Sequence, residues 1–476
     1  MQPPPALSRL RGPLPTGKPD EVSRRARAEL GPRLPRHGVG VTQALRALSR
    51  IVNDIGIDLT HPFSAAHLQP PVLEVAVDAD RLASASNASM DTYDSGPGTL
   101  EVERWVISSM AHLAEMPETS EGVMTPGGTM SNLLGLMLAR DSVAAANGHD
   151  VREHGVAALL RPTVFCSELA HFSVQRACAA LGLGEGAVVT VPADEQHRMR
   201  VDILRMELGQ PDRTPVAVVA TAGTTDFGSI DPLPEIADAA ASHGVWLHVD
   251  AAYGFGALFS QRLSPLIAGI GRADSVTLDL HKLGWVPAAA SVLLVRDPRS
   301  FRSTDRTVDY LIPHDDVDAG LEGLLGRSLQ TTRRADCLKV AATLRAYGTS
   351  GLGDMVNSCH DLANVAARAI DADPRLELVA APTLTTVLFR CQAAAAADSD
   401  ELQARVRREL LTSGRALIGR TRMRARNGRP ERVVLKLTLI NPATESIDIA
   451  ALVDLVALTG EGLSSTRSEN ESEFVA

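Results

Sequence analysis

The sequence of apolar and polar positions divides much of the chain into helix and strand segments. Residues 101–116 ("EVERWVISSMAHLAEM") carry apolar residues at helical spacing. Residues 215–223 ("PVAVVATAG") form a continuous apolar run, which is typical of a strand buried on both faces of a sheet. A helix predicted over residues 233–244 then leads into a strand over residues 245–254 ("VWLHVDAAYG"). This strand–helix–strand order predicts a parallel sheet.

Further segments extend this pattern and suggest the domain organisation. Strands are predicted at "TVFCSE", "DSVTLDLHK" and "ASVLLVRD", and strands mix with helices beyond about residue 330. We therefore expect an α/β fold, with a large domain over residues 61–330 that contains a central, mostly parallel sheet. A smaller α+β domain is expected over residues 331–476. Residues 1–60 form an N-terminal segment whose Pro- and Arg-rich start we expect to be poorly ordered in isolation.

Composition and charge narrow the classes of function. The formal net charge of -10 gives no electrostatic reason to expect nucleic acid or an anionic membrane as a partner. No apolar run approaches the roughly 20 residues that span a bilayer, and the N-terminus lacks the apolar core of a secretory signal. The five cysteines show no CxxC spacing. We expect reduced thiols, no metal site and a cytoplasmic protein.

Two strand ends carry residues that are expensive to bury. Lys282 closes the segment "DSVTLDLHK" directly after His281, and Asp250 closes "VWLHVD". A lysine there is costly unless its ammonium group is paired, solvated or used in chemistry. Asp250 alone could equally be a helix cap or the partner in an ion pair. Functional residues of open α/β sheets gather at the carboxyl ends of the strands.

Two other segments complete a chemical set. The "TPGGT" turn places Gly127, Gly128 and Thr129 before a helix whose N–H groups could hold a phosphate. His171 begins another helix, where a lone histidine is more often a cap or a packed residue. A phosphate cradle, a carboxylate, an imidazole and a lysine are together what pyridoxal phosphate chemistry requires.

Six stretches carry a resemblance to a known family: "TPGGTMSN", "SELAHFSVQRACAALGLG", "VATAGTTDFGSIDPLPEIA", "HVDAAYG", "ADSVTLDLHK" and "SLQTTRRADCLK". They resemble, in order and over about residues 60–460, the group II pyridoxal-phosphate-dependent amino acid decarboxylases. The resemblance implies fold type I, which is aspartate aminotransferase-like, and pyridoxal 5'-phosphate as cofactor. It also implies a homodimer with the active site at the subunit interface, in which the later part of residues 1–60 embraces the partner.

The resemblance also assigns roles by motif position. Lys282 resembles the lysine that bonds the cofactor aldehyde, Asp250 the partner of the pyridine nitrogen, and His171 the histidine stacked on the ring. The remaining implied cofactor contacts are Gly127, Gly128, Thr129 and His281 at the phosphate, and Thr221 and Ala252 against the ring.

Within the family, the chain is most similar to the lysine decarboxylases of desferrioxamine-type siderophore pathways. The segments "HPFSAAHLQPP" and "SLQTTRR" contribute to this likeness. It implies an aliphatic, basic substrate such as lysine, ornithine or diaminobutyrate, with a small amino acid such as valine as the alternative. Lys436 stands where many relatives have an arginine that grips the substrate carboxylate. The further candidate substrate contacts are His67, Tyr310 and His314.

One departure from the family pattern leaves the outcome of the reaction open. Many members carry a tyrosine shortly before "SLQTTRR", where this chain has Leu321, and Tyr310 is the nearest tyrosine. Another proton donor, such as His314 or water, would still give an amine. Without a donor, the chemistry would yield an aldehyde by reaction with oxygen, as in an aldehyde synthase. A third alternative is a catalytically silent protein that only binds the cofactor.

Overall fold

The computed structural model describes residues 11–306, 308, 310–392, 399–424 and 430–473. Its described residues pack as two compact units. We call the part within Val72–Asn357 the large unit, and the part within Met1–Pro71 and Ser358–Ala476 the terminal unit. The domain boundaries predicted at residues 60 and 330 stay predictions.

Strands and helices alternate along most of the chain. The strands are β1 Ser64–Ala65, β2 Glu121–Thr125, β3 Pro162–Ser167, β4 Val188–Val191, β5 Thr214–Thr221, β6 Trp246–Asp250, β7 Ser275–Leu278, β8 Ser291–Val295, β9 Leu376–Ala380, β10 Thr386–Cys391, β11 Leu417–Met423 and β12 Arg432–Thr438. The helices are α1 Pro19–Leu30, α2 Val41–Arg50, α3 Glu74–Ser86, α4 Pro97–Leu113, α5 Gly128–Ala146, α6 Val151–His154, α7 Ser173–Ala180, α8 Val201–Leu208, α9 Leu233–Ser242, α10 His314–Asp318, α11 Cys337–Asp371, α12 Ser399–Thr412 and α13 Ser446–Glu473. Helix α11 is kinked at Gly348, whose φ is 62°.

The large unit contains a sheet of seven strands among its described residues, in the order β2-β8-β7-β6-β5-β3-β4. Strands β7, β6, β5, β3 and β4 run parallel, and β8 is antiparallel to both of its neighbours. The predicted α/β class with a mostly parallel sheet is confirmed. The carboxyl ends of β5, β6 and β7 therefore share one edge of the sheet.

Apolar packing on the sheet explains why these strands form. Every residue of β7 and β8 is buried, as expected for continuous apolar strands that are covered on both faces. Helix α5 contributes Leu134, Leu136 and Leu138 to the core, together with Val216 of β5. Strand β2 was not predicted from the sequence. Its Gly122 lies so close to β8 that an added Cβ would clash with the Leu293 carbonyl oxygen.

The terminal unit is built around a second sheet, in the order β1-β11-β12-β10-β9. Strand β1 pairs with β11 in parallel, and the other pairs are antiparallel. Helices α12 and α13 bury Val406, Leu452 and Val456 in its core. Part of the N-terminal segment forms α1 and α2, and residues 1–10 of the start that was predicted to be poorly ordered lie outside the described residues. No described helix is both long and apolar enough to cross a membrane.

Candidate active site

Three neighbouring strands of the large unit deliver chemical groups to the same edge of the sheet. Thr221 is the last residue of β5 and pairs in register with Asp250, the last residue of β6. Strand β7 lies beside β6 and ends at Leu278, and Asp279 and Lys282 follow it directly. The parallel register, set by the buried strands, thus brings together residues that lie far apart in sequence.

Lys282 is paired, which resolves how its ammonium group is accommodated. Its Nζ lies 2.9 Å from Oδ2 of Asp279, which is buried and also accepts a hydrogen bond from the Ser291 hydroxyl. His281 Nε2 lies 3.7 Å from the same carboxylate, and its Nδ1 lies 3.0 Å from the Ala290 carbonyl oxygen. Asp279 was not among the predicted site residues, although it stands three residues before Lys282.

The predicted glycine turn lies against this group. Helix α5 begins at Gly128, where an added Cβ would meet both Asp279 carboxylate oxygens at 3.0 Å and the Ala252 Cβ at 3.3 Å. At Gly127 an added Cβ would meet nothing within 4 Å, so there is open space beside the start of the helix. The adjacent Thr129 is exposed. Only a glycine fits at position 128 without displacing the buried carboxylate.

Asp250 accepts one hydrogen bond on each carboxylate oxygen. The Ala252 N–H donates to Oδ1 at 3.1 Å, and Nδ2 of Asn132 on α5 donates to Oδ2 at 2.8 Å. Both donors are N–H groups, and the carboxylate that accepts from them is 6% exposed. Asn132 was not predicted, but it lies in the motif "TPGGTMSN", four residues after Gly128.

Thr221 offers a hydroxyl beside this carboxylate. Its Oγ1 is buried and has no hydrogen-bond partner in the part of the chain that the structure describes. Its backbone N–H donates to Oδ2 of Asp231 at 2.8 Å, and burial raises the pKa of Asp231 to about 6. A buried hydroxyl without a partner is a position where a bound group would gain a hydrogen bond.

His171 is oriented by the helix that follows it. Its Nδ1 lies 2.8 Å from the Ser173 Oγ and 3.3 Å from the Ser173 backbone N, both at the start of α7. Burial lowers the pKa of His171, and the negative charge of Asp250 partly opposes this shift. Ser173 in turn accepts from Asn132 Nδ2 at 2.9 Å, which connects His171 to Asp250.

The candidate substrate contacts are distributed differently. His67 and Lys436 belong to the terminal unit, where burial, followed by the positive charges of Lys436 and Arg407, lowers the pKa of His67. Tyr310 is 81% exposed, and it lines a cavity of about 460 Å³ in the large unit. His314 begins the short helix α10. The predicted cofactor residues thus lie together in the large unit, whereas the predicted substrate residues are divided between the two units.

A family model for the pyridoxal-dependent decarboxylase conserved domain matches residues 60–392. The chain belongs to the pyridoxal-dependent decarboxylase family. An L-2,4-diaminobutyrate decarboxylase of Rhizobium meliloti (strain 1021) is 41% identical over 436 residues, which cover 90% of this chain and 84% of the relative. The L-2,4-diaminobutyrate decarboxylase of Acinetobacter baumannii is 34% identical over 440 residues, with 90% and 85% covered.

A solved structure extends the family likeness to the fold. It is the glutamate decarboxylase domain of diaminobutyrate-pyruvate transaminase and L-2,4-diaminobutyrate decarboxylase from Vibrio parahaemolyticus. Its TM-score is 0.84 at 32% identity, over 96% of this chain and 92% of that one. The family assigns a carboxy-lyase reaction with pyridoxal phosphate as cofactor, and fold type I is confirmed.

The residues at the sheet edge fit this cofactor. They supply a lysine amine, a carboxylate that is held by two donors, a buried hydroxyl without a protein partner among the described residues, and open space at Gly127. The amine can bond the cofactor aldehyde, the carboxylate can face the pyridinium nitrogen, and the hydroxyl can bind a polar ring substituent. The open space at Gly127 can hold the phosphate.

Proposed function

We propose that this decarboxylase converts a basic aliphatic L-amino acid, first of all L-2,4-diaminobutyrate, to the corresponding diamine and CO2. The observation that carries the proposal is the convergence of Lys282, Asp250 and His171 on one sheet edge of the large unit. The substrate choice is supported by the names of two relatives that are 41% and 34% identical. Lysine and ornithine, implied by the siderophore-type likeness, belong to the same proposal as longer substrates.

Each residue has a defined task in this proposal. Lys282 holds the cofactor covalently, Asp250 keeps its pyridine nitrogen protonated, and His171 stacks on its ring. Gly127, Gly128, Thr129 and His281 hold the phosphate, while Thr221 and Ala252 contact the ring. When bound, pyridoxal phosphate withdraws electrons from the substrate α-carbon, so that the bond to the carboxylate can break.

Charged residues account for the substrate class in the proposal. Lys436 binds the substrate carboxylate, and as a point charge it lacks the two-pronged geometry of arginine. Asp315 and Asp316 in the first turn of α10 attract the distal ammonium group of a basic substrate. His67, Tyr310 and His314 contribute further substrate contacts. His314 or water protonates the product carbon in place of the tyrosine that is missing near Leu321.

The proposed assembly is a homodimer with the active site at the subunit interface. Support comes from α2, which buries no residue in the chain itself and exposes Val41, Leu45 and Leu48 at helical spacing. Such an apolar stripe matches an interface with a second copy of the chain. A cytoplasmic location belongs to the same proposal, and the five free cysteines support it.

The test is a measurement of amine, CO2 and peroxide from purified, cofactor-loaded protein with diaminobutyrate, ornithine, lysine and valine. Equal amounts of amine and CO2, highest with diaminobutyrate and absent for Lys282→Ala, are expected. Aldehyde with peroxide would replace the proposal by the aldehyde synthase, and valine as the best substrate would refute the charged-substrate argument. No turnover on any substrate would leave a protein that only binds the cofactor.

A further inference from the structure

A chain of hydrogen bonds extends from the candidate active site into the core of the large unit. Trp246 Nε1 lies 2.9 Å from Ser275 Oγ, and Ser275 Oγ lies 2.8 Å from His248 Nδ1. His248 Nε2 lies 3.0 Å from Asn132 Oδ1. Asn132 Nδ2 then contacts both Asp250 and Ser173.

The donor at the inner end of this chain is known. The indole N–H of Trp246 can only donate, so Ser275 Oγ accepts from it and has its own hydrogen left to donate to His248 Nδ1. The proton of a neutral His248 must then lie on Nε2, where it is donated to Asn132 Oδ1. The Asn132 amide therefore presents its two hydrogens to Asp250 Oδ2 and Ser173 Oγ.

The direction is fixed at the outer end. His171 Nδ1 faces the Ser173 backbone N–H, which can only donate, and the Ser173 hydroxyl. Nδ1 of His171 is therefore the unprotonated nitrogen, and a neutral His171 carries its proton on Nε2. One orientation of the groups between them satisfies both ends of the chain.

The buried position of His248 keeps the chain in this state. His248 is fully buried, and desolvation lowers its pKa to about 4, so the ring is neutral near neutral pH. Gly135, one turn after Asn132 on α5, leaves the room that the ring occupies. Thr277 Oγ1, 3.4 Å from His248 Nε2, is a further polar neighbour.

We propose that Trp246, Ser275, His248 and Asn132 act as positioning residues, which together hold Asp250 as an anion and His171 in the tautomer protonated on Nε2. The inference rests on the roles proposed above for Asp250 and His171. It adds that residues without a proposed cofactor contact set the charge of Asp250 and the proton position on His171. Each Asp250 oxygen accepts one N–H donor and keeps a second lone pair that can face the pyridine nitrogen.

Asn132→Asp is the most direct perturbation, because it keeps the shape of the side chain and replaces the donor with an acceptor. Two carboxylates would then lie about as close as the 2.8 Å contact in the present structure and would share a proton. We expect cofactor affinity to fall about tenfold or more, with a changed absorbance spectrum of the bound cofactor before any substrate is added. Asn147→Asp, at the exposed end of the same helix, is the control with the same change in charge.

A second pair of variants separates hydrogen bonding from packing. Glutamine at position 248 can accept from Ser275 and donate to Asn132, whereas leucine can do neither. We expect His248→Gln to keep the wild-type spectrum and an affinity within about twofold, and His248→Leu to lose both. This pair decides the question if Asn132→Asp does not fold.

Asp250→Asn separates failure of the proposed function from failure of the inference. A wild-type spectrum for Asp250→Asn would overturn the proposed role of Asp250 and the inference with it. A changed spectrum for Asp250→Asn with a wild-type spectrum for Asn132→Asp would overturn the inference alone. Equal spectra and affinities for His248→Gln and His248→Leu would also overturn it, because packing alone would then explain the chain of contacts.

Discussion

Replacing Gly135 with alanine tests how tightly α5 is packed against the buried imidazole. A Cβ at this position would meet His248 Nδ1 and Cε1 at 2.8 Å, closer than non-bonded carbon atoms approach. The ring cannot easily move away, because Ser275 and Asn132 hold both of its nitrogens. Elsewhere in a helix the same substitution would stabilise by about 1 kcal/mol.

The expected loss follows from these opposing effects. Overpacking costs about 1–3 kcal/mol, and a hydrogen bond of His248 that is broken by the shift costs about 1–3 kcal/mol more. After subtraction of the helical gain, Gly135→Ala should destabilise the large unit by about 1–5 kcal/mol. Gly462 on α13 is the matched control, since a Cβ there would meet nothing within 4 Å.

The assay is thermal unfolding of both variants and the wild type at the same cofactor concentration. Gly135→Ala should melt at a lower temperature and Gly462→Ala at the wild-type temperature or slightly above it. Equal or higher stability of Gly135→Ala would show that the ring has room to move, and would remove the packing argument for a fixed His248.

Three further predictions follow from buried groups. Glu103→Gln should destabilise by about 3–5 kcal/mol in urea denaturation, because it leaves Arg333, 5% exposed and 2.8 Å from the carboxylate, without its counter-charge. Asp78→Asn breaks an exposed ion pair and should cost less than about 1 kcal/mol of stability. Equal losses of stability for these two variants would contradict the buried position of the Glu103–Arg333 pair. His248 has a pKa of about 4 when folded against 6.5 when unfolded, so between these values only the unfolded state gains a proton and stability falls as pH falls. Between pH 6.5 and 4 the wild type should therefore lose up to about 3 kcal/mol more stability than His248→Gln. Parallel profiles of melting temperature against pH for the two proteins would refute this. All five cysteines are buried, and burial raises the pKa of the Cys166 thiol to about 12. A thiol reagent should therefore label no cysteine before unfolding and five after it. Fast labelling of the native protein would contradict the structure.

The strand ends were predictable because buried parallel strands have a strong sequence signal. The apolar runs before Thr221, Asp250 and Lys282 placed each residue at the end of a strand, and the parallel order implied a common edge. The structure confirms these strands and their order, but β7 ends at Leu278, so Lys282, which was predicted to close the strand, lies in the turn that follows it. The roles of the residues remain proposals.

The polar network behind the edge was not predictable in the same way. His248 sits inside "VWLHVD", where a strand buried on both faces makes a histidine look like a core residue. Its partner Ser275 lies 27 positions further along the chain, and Asn132 lies 116 positions before it. The register of β6 with β7 and the packing of α5 on the sheet bring them together, so the pattern of any one segment carries no sign of the contact.

The position of the cofactor tests the central claim most directly. The loaded protein would be reduced with borohydride, digested, and searched by mass spectrometry for the peptide that carries the cofactor. We predict the added mass on Lys282, and none on the Lys282→Ala variant after the same treatment. Cofactor mass on another lysine, such as Lys339, or equal labelling of the variant would contradict an active site built around the end of β7.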